Sequence, residues 1–158
     1  MINKIKELWK KYKRLLLYIL VPLITGFLGN MIAGNTEIYN KIKTPSFAPP
    51  GFLFPIVWSV LYVLMGISAY IISKKENNTK ANKLYYAQLV ANSLWPLLFF
   101  RFTLFAVSTL WLVLLIVLVS FMIYEFYNLN KTAGLLNIPY LLWISFAFIL
   151  NYSIYLLN

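Results

Sequence analysis

Apolar positions fill five long stretches of this chain, which short polar segments separate. The stretches lie near residues 15–33, 52–73, 84–100, 104–127 and 135–157. A helix needs about 20 predominantly apolar residues to cross a hydrocarbon core of about 30 Å. The third stretch is the weakest, because it is short and carries Gln88, Asn92 and Pro96. The pattern predicts an all-α fold, an integral membrane bundle of five transmembrane helices.

Composition supports this prediction and limits the chain to one compact unit. The 158 residues are 61% hydrophobic and 11% charged, whereas a soluble domain holds about 25% charged residues. The connections are short, except for residues 34–51. We therefore expect a basic interfacial segment over residues 1–14 and a single membrane domain over residues 15–158.

The basic residues predict an orientation. The formal net charge is +10. Eleven of the 14 Lys and Arg lie before the first stretch or in the connections after the second and fourth, and Lys41, Lys43 and Arg101 lie on the other side. By the positive-inside rule this predicts a multi-pass membrane protein with a cytoplasmic amino terminus. We expect its location to be a bacterial cell membrane. Because these charges flank apolar spans, we do not expect binding to nucleic acid.

The first 14 residues combine lysines with apolar side chains at helical spacing, namely Ile2, Ile5, Leu8, Trp9 and Tyr12. This pattern predicts a short interfacial helix that anchors in membrane lipids. A basic run before an apolar run also describes a signal peptide. Residues 15–33 are long for such a segment, and no clear A-x-A cleavage site follows, so we favour a retained helix.

Missing residue types exclude much of the usual site chemistry. The chain has no Cys and no His, and it has no Asp, so Glu7, Glu37, Glu76 and Glu125 are its acids. Disulfides, thiolate or imidazole metal sites and catalytic triads therefore lack their components. We expect no metal and no cofactor.

Three predicted spans carry aromatic and amide side chains at helical spacing. The candidate ligand-binding residues are Phe54, Trp58, Tyr62, Asn92, Trp95, Phe99, Tyr140, Trp143, Ala147 and Asn151. One interpretation is helix packing, with the amides as interhelical hydrogen-bond donors. The other is a pocket for a flat, largely apolar ligand, which aromatic faces and a few polar groups would suit.

Two further features have open interpretations. Pro45, Pro49 and Pro50 predict a stiff cap over the outer end of the bundle, because each proline restricts its own and the preceding backbone. Lys41 and Lys43 in this loop either contact anionic groups of a ligand at the mouth or are simply solvated. Ala87 and Ala91 form a small-xxx-small pair that suits either a homodimer or packing within the chain.

Three segments of distinctive sequence follow each other along the chain: TPSFAPPGFLFPIVWSVLYVLMG at 44–66, QLVANSLWPLLFF at 88–100 and LLNIPYLLWISFAFILNYSIY at 135–155. In this order they resemble the TspO/MBR family, the tryptophan-rich sensory proteins related to the mitochondrial translocator protein. The resemblance covers about residues 15–158. It implies a five-helix bundle, often dimeric, that binds porphyrins and other hydrophobic ligands under the first loop. Family pocket positions match Trp58, Asn92, Trp95, Trp143 and Ala147.

The resemblance also implies alternatives for function. We expect binding of porphyrin or tetrapyrrole-like ligands in tetrapyrrole regulation or stress sensing. Some family members promote light-dependent protoporphyrin degradation, which would make Trp58 and Trp143 catalytic. A third reading is a transporter of hydrophobic metabolites, although no inverted repeat and no buried coupling acid is visible. Phe47 and Ser93 stand where the family has tryptophan.

Overall fold

The structure, a computed structural model, describes residues 2–34 and 36–158, and the side chains of residues 2 and 3 lie outside the described set. Six α-helices, one 3-10 helix and one π-helical segment follow each other, and no strand occurs among the described residues. The α-helices are α1 (Ile2–Ala33), α2 (Leu53–Ile72), α3 (Thr79–Pro96), α4 (Phe105–Leu129), α5 (Lys131–Leu135) and α6 (Ile138–Leu157). The predicted all-α bundle of five long helices is confirmed.

Length and apolar composition allow four helical segments to cross a membrane: α1, α2, α4 and the α5–α6 pair. The third stretch, predicted as the weakest, is α3, which is not among these four. It begins at Thr79 and continues into a π-helical turn, Leu97–Arg101. Pro96 lacks an N–H, and past it the pairing widens, so that Phe102 N donates to Leu97 O at 3.1 Å.

The amino-terminal segment is part of a long helix. α1 runs without a break from Ile2 to Ala33, so residues 2–14 continue directly into the first apolar stretch. Every residue from Lys4 to Arg14 is exposed. The interfacial location of this segment stays a prediction.

The bundle has two ends, which also name its two halves. The basic end carries the start of α1 and the connections from α2 to α3 and from α4 to α5, and the loop end carries the first loop between α1 and α2. At the basic end, Lys80 at the start of α3 forms an ion pair with Glu125 near the end of α4. At the opposite loop end, Asn158 Nδ2 donates to Lys43 O at 2.9 Å, and Lys43 N donates to Asn158 Oδ1 at 3.0 Å. The last turn of α6 therefore holds the first loop, and α1 and α6 place the two termini at opposite ends.

Small residues allow the helices to approach closely in the basic half. A Cβ added at Gly66 of α2 would lie 2.4 Å from Ile19 Cα of α1, and one at Gly134 would lie 2.7 Å from Tyr127 Cβ. The core beside them is fully buried and apolar. Its members include Met65, Ile72, Leu115, Val119, Met122, Phe126 and Ile144.

The two residues of the predicted small-residue pair on α3 differ in burial. Ala91 is 5% exposed, and its carbonyl accepts a hydrogen bond from Trp111 Nε1 of α4 at 2.7 Å. Ala87 is exposed beside Tyr86 and Val90. Ala91 thus packs within the chain, and a homodimer through α3 stays a prediction that would use Ala87 and its exposed neighbours.

Candidate functional site

A cavity of about 700 Å³ occupies the loop half of the bundle. This volume is within the range of about 300–1,000 Å³ that is typical of small-molecule sites. Its walls come from α1, α2, the end of α3 with the π-helical turn, and α6, and the 3-10 helix Thr36–Asn40 borders its mouth.

Most of the predicted site residues line this cavity together. They are Phe54, Trp58, Tyr62, Asn92, Trp95, Phe99, Ala147 and Asn151. Trp143 instead lines a narrow cleft of about 10 Å³ that shares Trp58, Trp95 and Ala147 with the larger cavity. Tyr140 belongs to neither lining and is buried one layer further toward the basic end.

Two stacked aromatic pairs form the walls. The rings of Trp58 and Tyr62 on α2 have centroids 5.4 Å apart at an interplanar angle of 27°. Trp95 and Phe99 stack in the same way, at 5.2 Å and 26°. Residues three or four apart lie on one face of a helix, so each helix presents an aromatic surface. Such surfaces suit a flat ring system.

Asn151 fixes the position of Trp95 rather than presenting free polar atoms. Its Oδ1 accepts from Trp95 Nε1 and from Ser108 Oγ, both at 3.1 Å. Its Nδ2 donates to Phe105 O at 2.9 Å and to Thr109 Oγ1 at 2.7 Å. Because all these bonds lie within the bundle, Asn151 joins α3, α4 and α6 at the cavity wall.

Of the two amides predicted as ligand-binding residues, Asn92 is the one that retains polar capacity toward the cavity. It is 3% exposed, and its Nδ2 donates to Tyr62 OH over a long 3.4 Å. Its Oδ1 accepts no hydrogen bond from the described residues. A ligand with a donor group could therefore pair with Asn92 without displacing a strong bond.

Trp143 and Tyr140 contact aromatic residues of the cavity lining without being part of it. Trp143 packs on Phe54 with ring centroids 5.9 Å apart, and its buried Nε1 has no acceptor among the described residues. Tyr140 donates to Gln88 Oε1 at 2.8 Å and packs edge-on against Trp58 at 6.0 Å. Tyr140 thereby positions the Trp58 indole.

Turns of its own backbone and a hydrogen bond from Tyr39 hold the first loop, and Tyr39 and Gly51 of this loop are in the cavity lining. Ala48 N donates to Pro45 O at 3.0 Å, Leu53 N donates to Pro50 O at 3.0 Å, and Tyr39 OH donates to Pro49 O at 3.1 Å. The prolines of the loop are not in the lining, so the predicted cap stays a prediction. Partial burial raises the pKa of the Tyr39 hydroxyl above its usual value.

Charge in the cavity lining comes from an acid and not from the loop lysines. Lys41 and Lys43 are exposed and are not part of the lining. The charged residue in the lining is Glu37. The interpretation of the two lysines as solvated loop residues therefore fits their positions better than direct contact with a ligand in the cavity.

Sequence reasoning missed the wall that α1 contributes. Leu23, Gly26, Phe27 and Asn30 line the cavity from this helix. Gly26 permits the approach of α2, because a Cβ there would lie 2.2 Å from the Tyr62 ring. The signal was present in the sequence, as small and polar residues interrupt the apolar run at positions 26, 29 and 30.

Ser93 and Phe47, which replace family tryptophans, lie in different surroundings. Ser93 packs against α1, since a Cβ on Gly29 would lie 2.7 Å from Ser93 O and 3.2 Å from Ser93 Cβ. Phe47 is 48% exposed and packs edge-on against Phe146 at 6.3 Å, outside the cavity lining.

Comparison with known proteins identifies the family. The model of the TspO/MBR family matches residues 18–157. Protein CrtK of Rhodobacter capsulatus is 38% identical over 124 residues, which cover 76% of this chain and 78% of the relative. Tryptophan-rich protein TspO of Archaeoglobus fulgidus is 36% identical over 149 residues, covering 92% and 97%. The tryptophan-rich sensory protein of Cereibacter sphaeroides is 33% identical over 122 residues, covering 77% of each. This chain is an integral membrane protein that belongs to the TspO/MBR family.

Proposed function

We propose that this protein binds a large, flat and mainly apolar ligand, a porphyrin or related tetrapyrrole, in the cavity of its loop half. The observation that carries the proposal is the aromatic wall around about 700 Å³ of space. Trp58 and Trp95 line the cavity from two different helices. A tetrapyrrole presents the broad, flat surface that such walls favour.

The distribution of polar groups suggests how the ligand would lie. Asn92 is the deep polar contact, while Asn30, Thr36, Glu37 and Asn40 are grouped at the mouth. The ring system would therefore occupy the aromatic interior, with a ring N–H near Asn92 Oδ1 and the polar edge near the loop.

We propose a role in tetrapyrrole regulation or stress sensing in a bacterial cell membrane, with the amino terminus in the cytoplasm. The relative from Cereibacter sphaeroides is named a tryptophan-rich sensory protein, which supports this role. The excess of Lys and Arg at the basic end supports the orientation.

One observation favours a second candidate, light- and oxygen-dependent degradation of protoporphyrin. Trp58 and Trp143 line the same cleft, and Phe54 lies against Trp143 there. Indole rings beside an excited porphyrin could exchange electrons with it, with dioxygen as the oxidant. No acid–base group is needed for that step, which suits a chain without His, Cys or Asp.

A protoporphyrin titration of the detergent-purified protein separates these candidates. Tryptophan fluorescence reports binding in darkness, and the porphyrin absorption bands report degradation under light. Trp143→Phe removes an indole from the cleft. Trp9→Phe is the matched control, because Trp9 lies far from the cavity on the exposed part of α1.

The proposal predicts saturable quenching in darkness by the wild type and by both variants. Stable absorption bands under light would support a binding protein. Loss of the bands that Trp143→Phe abolishes and Trp9→Phe preserves would support the enzyme. Absence of saturable quenching would remove the porphyrin assignment, while the family assignment would stand.

A further inference from the structure

The first part of α1 extends past the end of its neighbour α2. Tyr18 packs against Tyr70 with ring centroids 6.0 Å apart, and α2 ends two residues later at Ile72. Residues Lys4–Arg14 therefore lie beyond the end of α2, and all of them are exposed. At a rise of about 1.5 Å per residue, this part of the helix is about 16 Å long.

This projecting segment separates apolar from basic side chains. Ile5, Leu8, Trp9 and Tyr12 recur every three or four residues, so they form one stripe, and Trp9 is 71% exposed. The rest of the surface is basic, with Glu7 as the single acid. The cations are Lys4, Lys6, Lys10, Lys11, Lys13 and Arg14. An exposed apolar stripe with this basic flank marks an interaction surface.

Further cations lie at the seam between α1 and α2. Arg14 lies one helical turn before Tyr18, so both residues are on the same face of α1. Lys74 Nζ lies 3.9 Å from the centroid of the Tyr70 ring. The Tyr18–Tyr70 pair is thus flanked by a cation from each helix, at the level where the apolar part of both helices ends.

We propose that this basic end binds the phosphate headgroups of anionic phospholipids, with Arg14 and Lys74 at the Tyr18–Tyr70 seam and the Trp9 stripe against the headgroup layer. Charge complementarity selects an anionic occupant. A second copy of this chain would bring the same cations into contact and would be repelled. The position selects lipid over a protein, since Lys10–Arg14 lie within five residues of the first apolar stretch, where headgroups surround the helix.

This site is independent of the proposed tetrapyrrole site. The family model matches from residue 18 onward, and Lys4–Arg14 precede it. The cavity lies in the loop half, on the other side of the packed core. Failure of one proposal therefore leaves the other intact.

Lipid retention by the full-length protein tests the inference. The protein is purified in detergent with equal amounts of phosphatidylglycerol and phosphatidylcholine of the same acyl chains, and native mass spectrometry counts the lipids that stay bound. The test variant is Arg14→Gln/Lys74→Gln. The matched control, Lys41→Gln/Lys43→Gln, removes two exposed charges at the loop end.

We expect the wild type and the control to retain phosphatidylglycerol over phosphatidylcholine. Each basic residue near an anionic surface corresponds to a factor of about five in affinity, so the test variant should lose at least fivefold of this preference. Added salt should weaken the preference of the wild type. Since all four substituted lysines and arginines are exposed, thermal unfolding should not distinguish the variants.

Two results would overturn the inference. Equal loss in the test and control variants would show that only total charge matters. Equal retention of both lipids by the wild type would contradict selective binding of anionic lipid, and an acidic protein would then be the partner that fits the Trp9 stripe and its basic flank.

Discussion

The two halves of the bundle differ in what lies between their helices, which is a packed core in the basic half and a cavity in the loop half. In the basic half, Gly66 and Gly134 bring helix backbones into contact, and the core beside them has no exposed surface. In the loop half, Trp58, Tyr62 and Trp95 hold the helices apart around a cavity of about 700 Å³. Glycines also allow close approach in the loop half, at Gly26 and Gly29, so the difference between the halves is the cavity that lies between the aromatic rings.

The polar groups follow the same division. The basic half buries Ser68 and Asn137, which bond to each other at 2.7 Å and to Ala133 O. The loop half uses Asn151 to hold Trp95 in the wall of the cavity. Buried polar groups therefore fix helix contacts in one half and the shape of an open space in the other. Substitutions in the two halves should differ accordingly.

The largest loss of stability should follow Gly66→Ala in the basic half. The new Cβ would lie 2.4 Å from Ile19 Cα and 2.7 Å from Tyr18 O. Overpacking costs about 1–3 kcal/mol and occasionally more, and a rigid helix backbone cannot move aside, so we expect about 3 kcal/mol. Thermal unfolding in detergent measures the loss.

Gly51→Ala is the control for this substitution, because the nearest atom to its new Cβ, in the Tyr39 ring, is 3.9 Å away. The control should unfold like the wild type. If Gly66→Ala does so as well, α1 and α2 are not in the close contact that defines the packed half.

A smaller loss of stability should follow Asn151→Leu at the cavity wall. The leucine removes the acceptor of Trp95 Nε1 and Ser108 Oγ and the donor to Thr109 Oγ1. Interhelical hydrogen bonds in membranes are each worth about 0.6–2 kcal/mol, so we expect a loss of about 2 kcal/mol. Ser153→Ala is the control, since Ser153 Oγ bonds only within α6. Equal unfolding temperatures for the two variants would contradict the role of Asn151.

Ala147→Phe should reduce the cavity in the loop half without disturbing the core of the basic half. Ala147 borders both the cavity and the cleft, and a ring there would take space from a ligand. We expect protoporphyrin affinity to fall at least tenfold, about 1.4 kcal/mol, with little change in unfolding temperature. Leu142→Phe adds a ring on the same helix at a position that is 66% exposed, and it should bind like the wild type. Unchanged affinity in Ala147→Phe would place the ligand elsewhere.

The stripes on three helices could be read from the sequence because each repeats at helical spacing. Phe54, Trp58 and Tyr62 predicted one wall in this way, and Asn92, Trp95 and Phe99 predicted another. The wall from α1 could not be read so easily, because Leu23 and Phe27 look like ordinary lipid-facing residues. The closeness of Gly26 to the Tyr62 ring and the cavity lining show that this face of α1 turns inward.

The spacing of residues along a helix also did not determine which predicted side chains point into the cavity. Trp143 and Ala147 are one turn apart, yet the Trp143 ring packs between Phe54 and Phe146 and reaches only the narrow cleft. The 3-10 helix Thr36–Asn40 decides which charged loop residue reaches the cavity, since it places Glu37 rather than Lys41 in the lining. No periodic pattern in an irregular loop encodes such directions.

Gly26→Ala gives the smallest and sharpest test, because it repeats the Gly66 substitution in the open half. The new Cβ would lie 2.2 Å from the Tyr62 ring, which is even closer than the contact at Gly66. The difference is that the Tyr62 ring borders free space and can rotate, whereas the Ile19 backbone cannot. Alanine also favours a helix interior over glycine by about 0.5–1 kcal/mol, which offsets the displacement of the ring. We therefore expect the free energy of unfolding to change by less than about 1 kcal/mol, while the displaced ring weakens protoporphyrin binding severalfold. A loss of stability as large as that of Gly66→Ala would mean that the loop half is packed as tightly as the basic half.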